Sequence, residues 1–393
     1  VRRAGGQVRI TARLSRAATG EQLWSESYTR ELKDVFAVQS ELAETIVGQL
    51  RGQLGGAAAK AEIQAQVQEA ARGGTKNPDA HELYLQGKYF LDRGNYGDAM
   101  RAIGLLQRAV ERDPSFALAW AALSGAGWFR GSYGNDRRDF DDGYDLARRA
   151  AERTIALEPE LAAGYVALFD LQSSVDFDWK GARESLRRAE ALAPGDAAVV
   201  FRAAQLAYGF GQEELAIGLI KQAAALDPIN PQIYTSKGYI SLAARRFAEA
   251  EAAFRQLVDM TPASPWGHAG IALALVGQGK FDRAEAEARQ EPVEWSRLYA
   301  LSLAQWGRKQ PSEADETLAQ LVKGAADIAA YQIATIHAYR GEPDAAFEWL
   351  ERAYRQHDPG LSLSMPDFLL ESLHADPRWE TFQRKLGLAN DRL

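Results

Sequence analysis

No cysteine occurs among the 393 residues, which excludes disulfides and thiolate metal sites and is compatible with either a reducing or an oxidising compartment. Histidine is scarce: His81, His268, His337, His357 and His374 stand apart, with no i, i+4 pair and no HExxH, so local spacing builds no zinc site. GxSxG, Walker A and GxGxxG are also missing, which removes the commoner nucleophile elbows and phosphate cradles. No apolar run approaches the roughly 18 to 20 residues of a membrane span, and Val1 opens without a secretory-leader pattern. The chain reads as a piece of a longer protein, with no catalysis, cofactor or metal expected of it.

Positive charge is not concentrated either. The formal charge is −7, and residues 1–54 hold 8 basic and 6 acidic side chains, so the excess of acid lies in the remainder. Such a surface lacks the clustered Lys and Arg that phosphate neutralisation requires, and no nucleic acid is expected as a ligand. The one acidic crowd, Asp139, Asp141, Asp142 and Asp145 around Gly143, fails the calcium-loop pattern: counted from Asp139, glycine falls at position 5 and position 12 is Ala150.

What is present is a pattern stated twice. Ala216, Ile220, Ala223 and Pro228 are answered 34 residues later by Ala250, Phe254, Leu257 and Pro262. Between the two prolines, Tyr234, Gly238 and Phe247 supply a bulky residue, a small one and an aromatic opening a second helix. That period and order resemble the tetratricopeptide repeat. The resemblance implies a mainly α fold, a right-handed superhelical solenoid of helix pairs, whose 46% apolar content serves a line of stacked units rather than one centre.

Upstream of the repeats, Val8, Ile10, Ala12 and Leu14 alternate with Arg9, Thr11 and Arg13, which predicts a half-buried strand. Ala18-Thr19-Gly20 predicts a turn, and Glu21 to Thr29 a second strand of a hairpin. Val35, Val38, Leu42, Ile46 and Leu50 recur at helical spacing, predicting an amphipathic helix from Phe36 to Leu54. The strings VRRAGGQVRITARL, TGEQLWSESY and DVFAVQSELAETIV resemble the last part of the TolB-like amino-terminal domain, found ahead of tetratricopeptide arrays in bacterial adenylate cyclase-like and winged-helix regulatory proteins. Residues 1–54 therefore read as part of a small α/β module, lacking that domain's beginning and any cyclase or DNA-binding module.

Residues 55–77, with glycine pairs at both ends, read as a linker with a helical middle. About eight repeat units fill 78–358. Prolines at 114, 159, 194, 228 and 262 end successive units at intervals of 45, 35, 34 and 34, because the residue before a proline is pushed out of the helical region. The extra residues of the first interval fall around Phe129 to Asp142 and predict a long loop. Residues 359–393 read as capping helices, with Asp376-Pro377 starting one through Trp379, Phe382 and Leu386 that lies on the eighth unit.

Carried over residue by residue, the resemblance implies a concave wall built from first helices. Tyr84 and Lys88 fall on it, as do Trp128 and Phe129, Val166 and Asp170, Phe201, Gln205 and Tyr208, Thr235 and Tyr239, and Tyr331. Aromatic side chains there suit a peptide or protein, since they bury large area at small entropic cost. The expected function is thus a non-catalytic interaction or sensing scaffold of a bacterial signalling protein, cytoplasmic, or the periplasmic portion of a membrane-anchored regulator. Two alternatives stand beside it: the regulatory part of an adenylate cyclase or transcription factor, and a sensor of a small metabolite.

Overall fold

The computed structural model describes residues 2–4, 7–15, 22–31 and 72–388. Strands β1 (Arg2–Ala4), β2 (Gln7–Ser15) and β3 (Gln22–Glu31) form an antiparallel sheet in that order. The predicted hairpin is β2 and β3, in a register that sets Ile10 opposite Tyr28 and Leu14 opposite Trp24. Strand β1 was not predicted, being too short to show alternation. The helix expected over Phe36–Leu54 and residues 55–71 of the expected linker lie outside the described residues. Residues 72–77 run along the repeats: Leu118 N donates to Gly73 O at 2.9 Å, and Arg72 pairs with Glu158 and Glu160.

Eight antiparallel helix pairs follow. The first four are α1 (Pro78–Leu91) with α2 (Tyr96–Arg112), α3 (Ala117–Tyr133) with α4 (Arg137–Leu157), α5 (Ala162–Ser174) with α6 (Trp179–Leu192), and α7 (Ala197–Gly209) with α8 (Glu213–Leu226). The others are α9 (Pro231–Ala243) with α10 (Phe247–Met260), α11 (Gly267–Gly277) with α12 (Phe281–Ala288), α13 (Glu294–Gly307) with α14 (Pro311–Ala325), and α15 (Ala330–Tyr339) with α16 (Pro343–Gln356).

Local chemistry sets these boundaries. Asn77, Asn95, Asp136, Asp178, Asp196 and Asn230 accept hydrogen bonds from the first turns of α1, α2, α4, α6, α7 and α9, satisfying N–H groups that have no partner inside the helix. Prolines 78, 231, 311 and 343 occupy first-turn positions, where the missing N–H costs nothing. A bulky residue six positions after the unit-ending proline then ties back to it. Trp120 donates to Pro114 O at 3.1 Å, Tyr165 to Pro159 O at 3.0 Å, and Tyr234 to Pro228 O at 3.0 Å.

Packing accounts for the 34-residue recurrence. Ala216, Ile220, Ala223, Ala250, Phe254 and Leu257 are all buried, so the period in sequence is the period of a core layer. Each odd-numbered helix from α1 to α13 also packs on the next odd-numbered one, and this unbroken file forms the inner wall.

The predicted loop over Phe129–Asp142 is corrected by the structure. Helix α3 runs to Tyr133 and α4 starts at Arg137, so the extra residues lengthen two helices. Glycine explains how: a Cβ on Gly143 would lie 2.4 Å from Gly131 N, so the helices meet backbone to backbone. Arg130 bridges Asp139 at 3.0 Å and Asp142 at 2.8 Å, neutralising part of the acidic crowd.

Beyond α16 the chain turns inward. Two 3-10 turns, Pro359–Leu363 and Phe368–Leu373, precede α17 (Pro377–Leu386), whose Trp379, Phe382 and Leu386 share a core with Phe347, Leu350 and Ala353 of the eighth pair. The first turn packs on α5, α7, α15 and α16, and the second on α15. His357 lies parallel to the ring of Phe177 at 6.1 Å and bonds Val175 O at 2.8 Å, while Arg137 donates to Gln356 O at 2.8 Å. The end of the eighth unit thus returns to the second and third.

Candidate functional site

The inner wall and the returning segment enclose two adjoining spaces. An open trough of about 920 Å³ lies along α1, α3, α5 and the starts of α7 and α9. Its floor is apolar and small, with Leu118, Ala122 and Val166, and Tyr84, Trp128 and Gln232 stand around it. Both of its cationic side chains are matched. Lys88 reaches Asp92 at 2.9 Å, and Arg202 makes a bidentate pair with Asp170 at 2.9 and 2.6 Å, tying α5 to α7. Burial raises the Tyr84 hydroxyl above its usual pKa.

A second, smaller space of about 210 Å³ lies deeper, between α3 to α15 on one side and residues 358–369 on the other. Trp128 and Asp170 line both spaces, so the trough adjoins the cavity. Tyrosines surround it. Tyr331 donates its hydroxyl to Asp367 Oδ2 at 2.7 Å, and Tyr299 accepts from Thr335 at 3.2 Å. The hydroxyls of Tyr208 and Tyr239 have no hydrogen-bond partner among the described residues, although both line the cavity. Burial, with the Asp367 carboxylate adding to it, holds Tyr208 and Tyr331 well above the ordinary tyrosine range. Tyr133, on the same cavity, is pushed up to about 12 by burial.

Two aspartates of the returning segment complete the lining. Asp358 accepts from Tyr331 N and Gly360 N, each at 2.9 Å, and burial still pushes its carboxyl up to about 6. Asp367 accepts from Leu369 N at 2.9 Å as well as from Tyr331, and burial raises it too. No lysine, arginine or histidine lines this cavity among the described residues.

Of the wall positions expected from sequence, Tyr84, Lys88 and Val166 line the trough, Trp128 and Asp170 both spaces, and Gln205, Tyr208, Thr235, Tyr239 and Tyr331 the cavity. Phe129 and Phe201 do not, and this corrects the reading. Each is 2% exposed and packed inside the stack, Phe201 against Ala216 and Ile220 of its own pair. Neighbours on a helix diverge by about 100°, so Phe129 cannot share the wall with Trp128. Tyr133, Tyr299, Asp358 and Asp367 were missed. The aspartates come from a segment without repeat pattern, whose return to the wall has no local signal.

Residues 201–265 match the family model for the tetratricopeptide repeat, and they coincide with α7 to α10, two successive pairs of the stack. The fold is a tetratricopeptide-repeat solenoid. The human IFIT1 dimer with PPP-AAAA is similar to it at 15% identity, covering 82% of this chain and 86% of that one with a TM-score of 0.51. The APC/C hetero-tetramer Cut9-Hcn1 is similar at 12% identity, covering 80% and 60% with a TM-score of 0.51. These likenesses concern the solenoid alone. A putative adenylate cyclase 3 of Rhizobium meliloti (strain 1021) is 36% identical over 124 residues, 32% of this chain and 20% of that protein. The chain therefore spans about a fifth of the length of that relative. Among the described residues no helix is long and apolar enough to cross a membrane, and no group of three or more metal-ligating side chains occurs.

Proposed function

We propose that this solenoid is a non-catalytic interaction platform of a cytoplasmic bacterial regulatory protein, and that its trough takes an apolar-anchored peptide segment of a partner protein. The trough itself carries the reading. It is large enough for several side chains, floored by small apolar residues, and rimmed by an indole and a phenol that supply area with few rotors to immobilise. Matched charges argue against a phosphate-rich ligand, because Lys88 and Arg202 would have to leave their aspartates to meet it. What IFIT1 holds is therefore a property of that protein. The relationship to a named adenylate cyclase supports a regulatory setting, and the TolB-like reading of residues 1–54 belongs to the same proposal.

The test is a displayed random-peptide library selected on the full chain, with affinities then measured by fluorescence anisotropy. Ala122→Arg and Val166→Asp, which fill or charge the floor, are expected to weaken selected peptides by about tenfold or more. Selected peptides that bind both variants as tightly as the parent would place the interaction elsewhere.

A further inference from the structure

We propose that the cavity between the inner wall and the returning segment is a binding site for a small organic ammonium ion, held by the Asp367 carboxylate and the aromatic side chains around it. This goes beyond the peptide platform and uses a different space.

The charge of the lining selects the ligand. Among the described residues, three aspartates and no cationic side chain line the cavity, and of the three only Asp170 has a matched partner, Arg202. Asp358 and Asp367 meet backbone N–H groups and the Tyr331 hydroxyl but, among the described residues, no ion pair. An anion entering here would meet uncompensated negative charge in a poorly solvated space, whereas a cation would supply the missing partner.

The walls point the same way. Trp128, Trp266, Tyr133, Tyr208 and Tyr239 line the cavity, and aromatic faces attract a cation most strongly where water is excluded. Tyr208, 6% exposed, brings a hydroxyl without a hydrogen-bond partner, and Tyr239 brings another. Either oxygen can donate to or accept from a hydroxyl on the ligand. A space of about 210 Å³ has room for a small organic cation such as choline.

Geometry adds a consequence. Asp367 stands on the returning segment and the tyrosines stand on the solenoid, so a bound cation bridges the two. Trp128 and Asp170 also line the trough, so the two spaces adjoin while Ala122 belongs to the trough lining alone.

The experiment titrates the full chain with choline, tetramethylammonium and dimethylbutanol, the neutral carbon isostere of choline, reading tryptophan fluorescence and thermal midpoint. Choline is expected to bind saturably, to raise the midpoint, and to exceed dimethylbutanol in affinity by about tenfold or more. Asp367→Asn removes the charge while keeping an oxygen to cap the following turn, and is expected to abolish that preference with the fold intact by circular dichroism. Tyr208→Phe is expected to weaken choline while preserving its preference over the isostere. Ala122→Arg, which blocks the trough, is expected to leave choline affinity unchanged, so failure of the peptide reading and failure of this one are separable. No saturable binding of either ammonium probe up to about ten millimolar, equal affinity for dimethylbutanol, or unchanged choline affinity in Asp367→Asn would each overturn the proposal.

Discussion

The indole Nε1 of Trp179 donates a 2.8 Å hydrogen bond to the main-chain oxygen of Leu386, joining the third unit to the last helix across 207 residues. A solenoid whose units met only their sequence neighbours would have no such bond. It satisfies a carbonyl at the C-terminal end of α17, while the ring packs edge-on against Phe210 at 5.4 Å.

Replacing Trp179 by alanine removes both the ring and the donor, and is expected to cost about 3–5 kcal/mol. The loss should be local. Hydrogen exchange followed by mass spectrometry should show faster exchange over residues 358–388, with residues 78–112 unchanged, because stacked units share stability with their neighbours first. Uniform acceleration along the chain would mean that the closure is not a separable contact.

Two glycines of the second helices should respond oppositely to the same substitution. A Cβ at Gly143 would meet the backbone of Gly131 at 2.4 Å, so Gly143→Ala must separate α3 from α4 and is expected to cost about 3 kcal/mol. Gly104, exposed on α2 with nothing within 4 Å of the added atom, should gain about 0.5–1 kcal/mol as alanine. Urea midpoints read by circular dichroism compare the two, and equal shifts would contradict the backbone contact.

Why some of this was readable in the chain and some was not follows from range. Ala216, Phe254 and Pro228 announce themselves because a repeat restates local packing at a fixed step, and the burial of each alanine follows from that step. Tyr208, Tyr239 and Tyr331 could be placed on the wall for the same reason. Phe129 and Phe201 could not be separated from them by residue type, since a buried and a wall-facing phenylalanine look alike in sequence and only the helical phase distinguishes them. The glycines and aspartates of 131–143 resemble a loop in composition, yet here glycine permits close helix contact and arginine matches the acid. Asp358 and Asp367 were least legible, because their place on the wall depends on the curvature of all eight pairs together.

Stability should fall between about pH 4 and pH 6 for a reason that can be assigned. Burial lifts the Asp358 carboxyl from an ordinary value near 3.8 to about 6, so in this window the folded chain binds a proton that the unfolded chain has released. Folding is therefore favoured at the acid side, and the contribution disappears as pH rises through 6. A shift of roughly two units corresponds to about 3 kcal/mol, and Asp367 is displaced in the same direction. Carboxyls held low act oppositely at the acid end, among them Asp376, kept near 2 by its bonds to Arg378, and Glu251 and Glu285. His81 and His374, lowered by burial, oppose the fall near neutrality, so the difference between parent and variant carries the assignment. The urea midpoint should thus drop from pH 5 to pH 7, and Asp358→Asn, which cannot ionise, should flatten that drop. An unaltered slope in the variant would assign the effect to other groups.

The Asp170–Arg202 pair stands where trough and cavity meet, and its energetics should be those of a largely buried bridge. Each side chain is 14% exposed, and the two bonds of 2.9 and 2.6 Å join the first helices of successive units. Removing one partner strands the other charge, so Arg202→Met alone is expected to destabilise by about 1–3 kcal/mol, below the full penalty of a completely buried pair. Asp170→Leu alone should cost a similar amount. The combined variant should recover most of the loss, because no unmatched charge remains and apolar side chains of similar bulk fill the site. A double-mutant cycle on urea midpoints gives the coupling directly, with about 1.5 kcal/mol or more expected and additive losses pointing instead to a solvent-screened pair. The combined variant would also remove Asp170, the one charged residue that lines both spaces among the described residues, while leaving Asp367 in place, so the preference for choline over dimethylbutanol should survive in it.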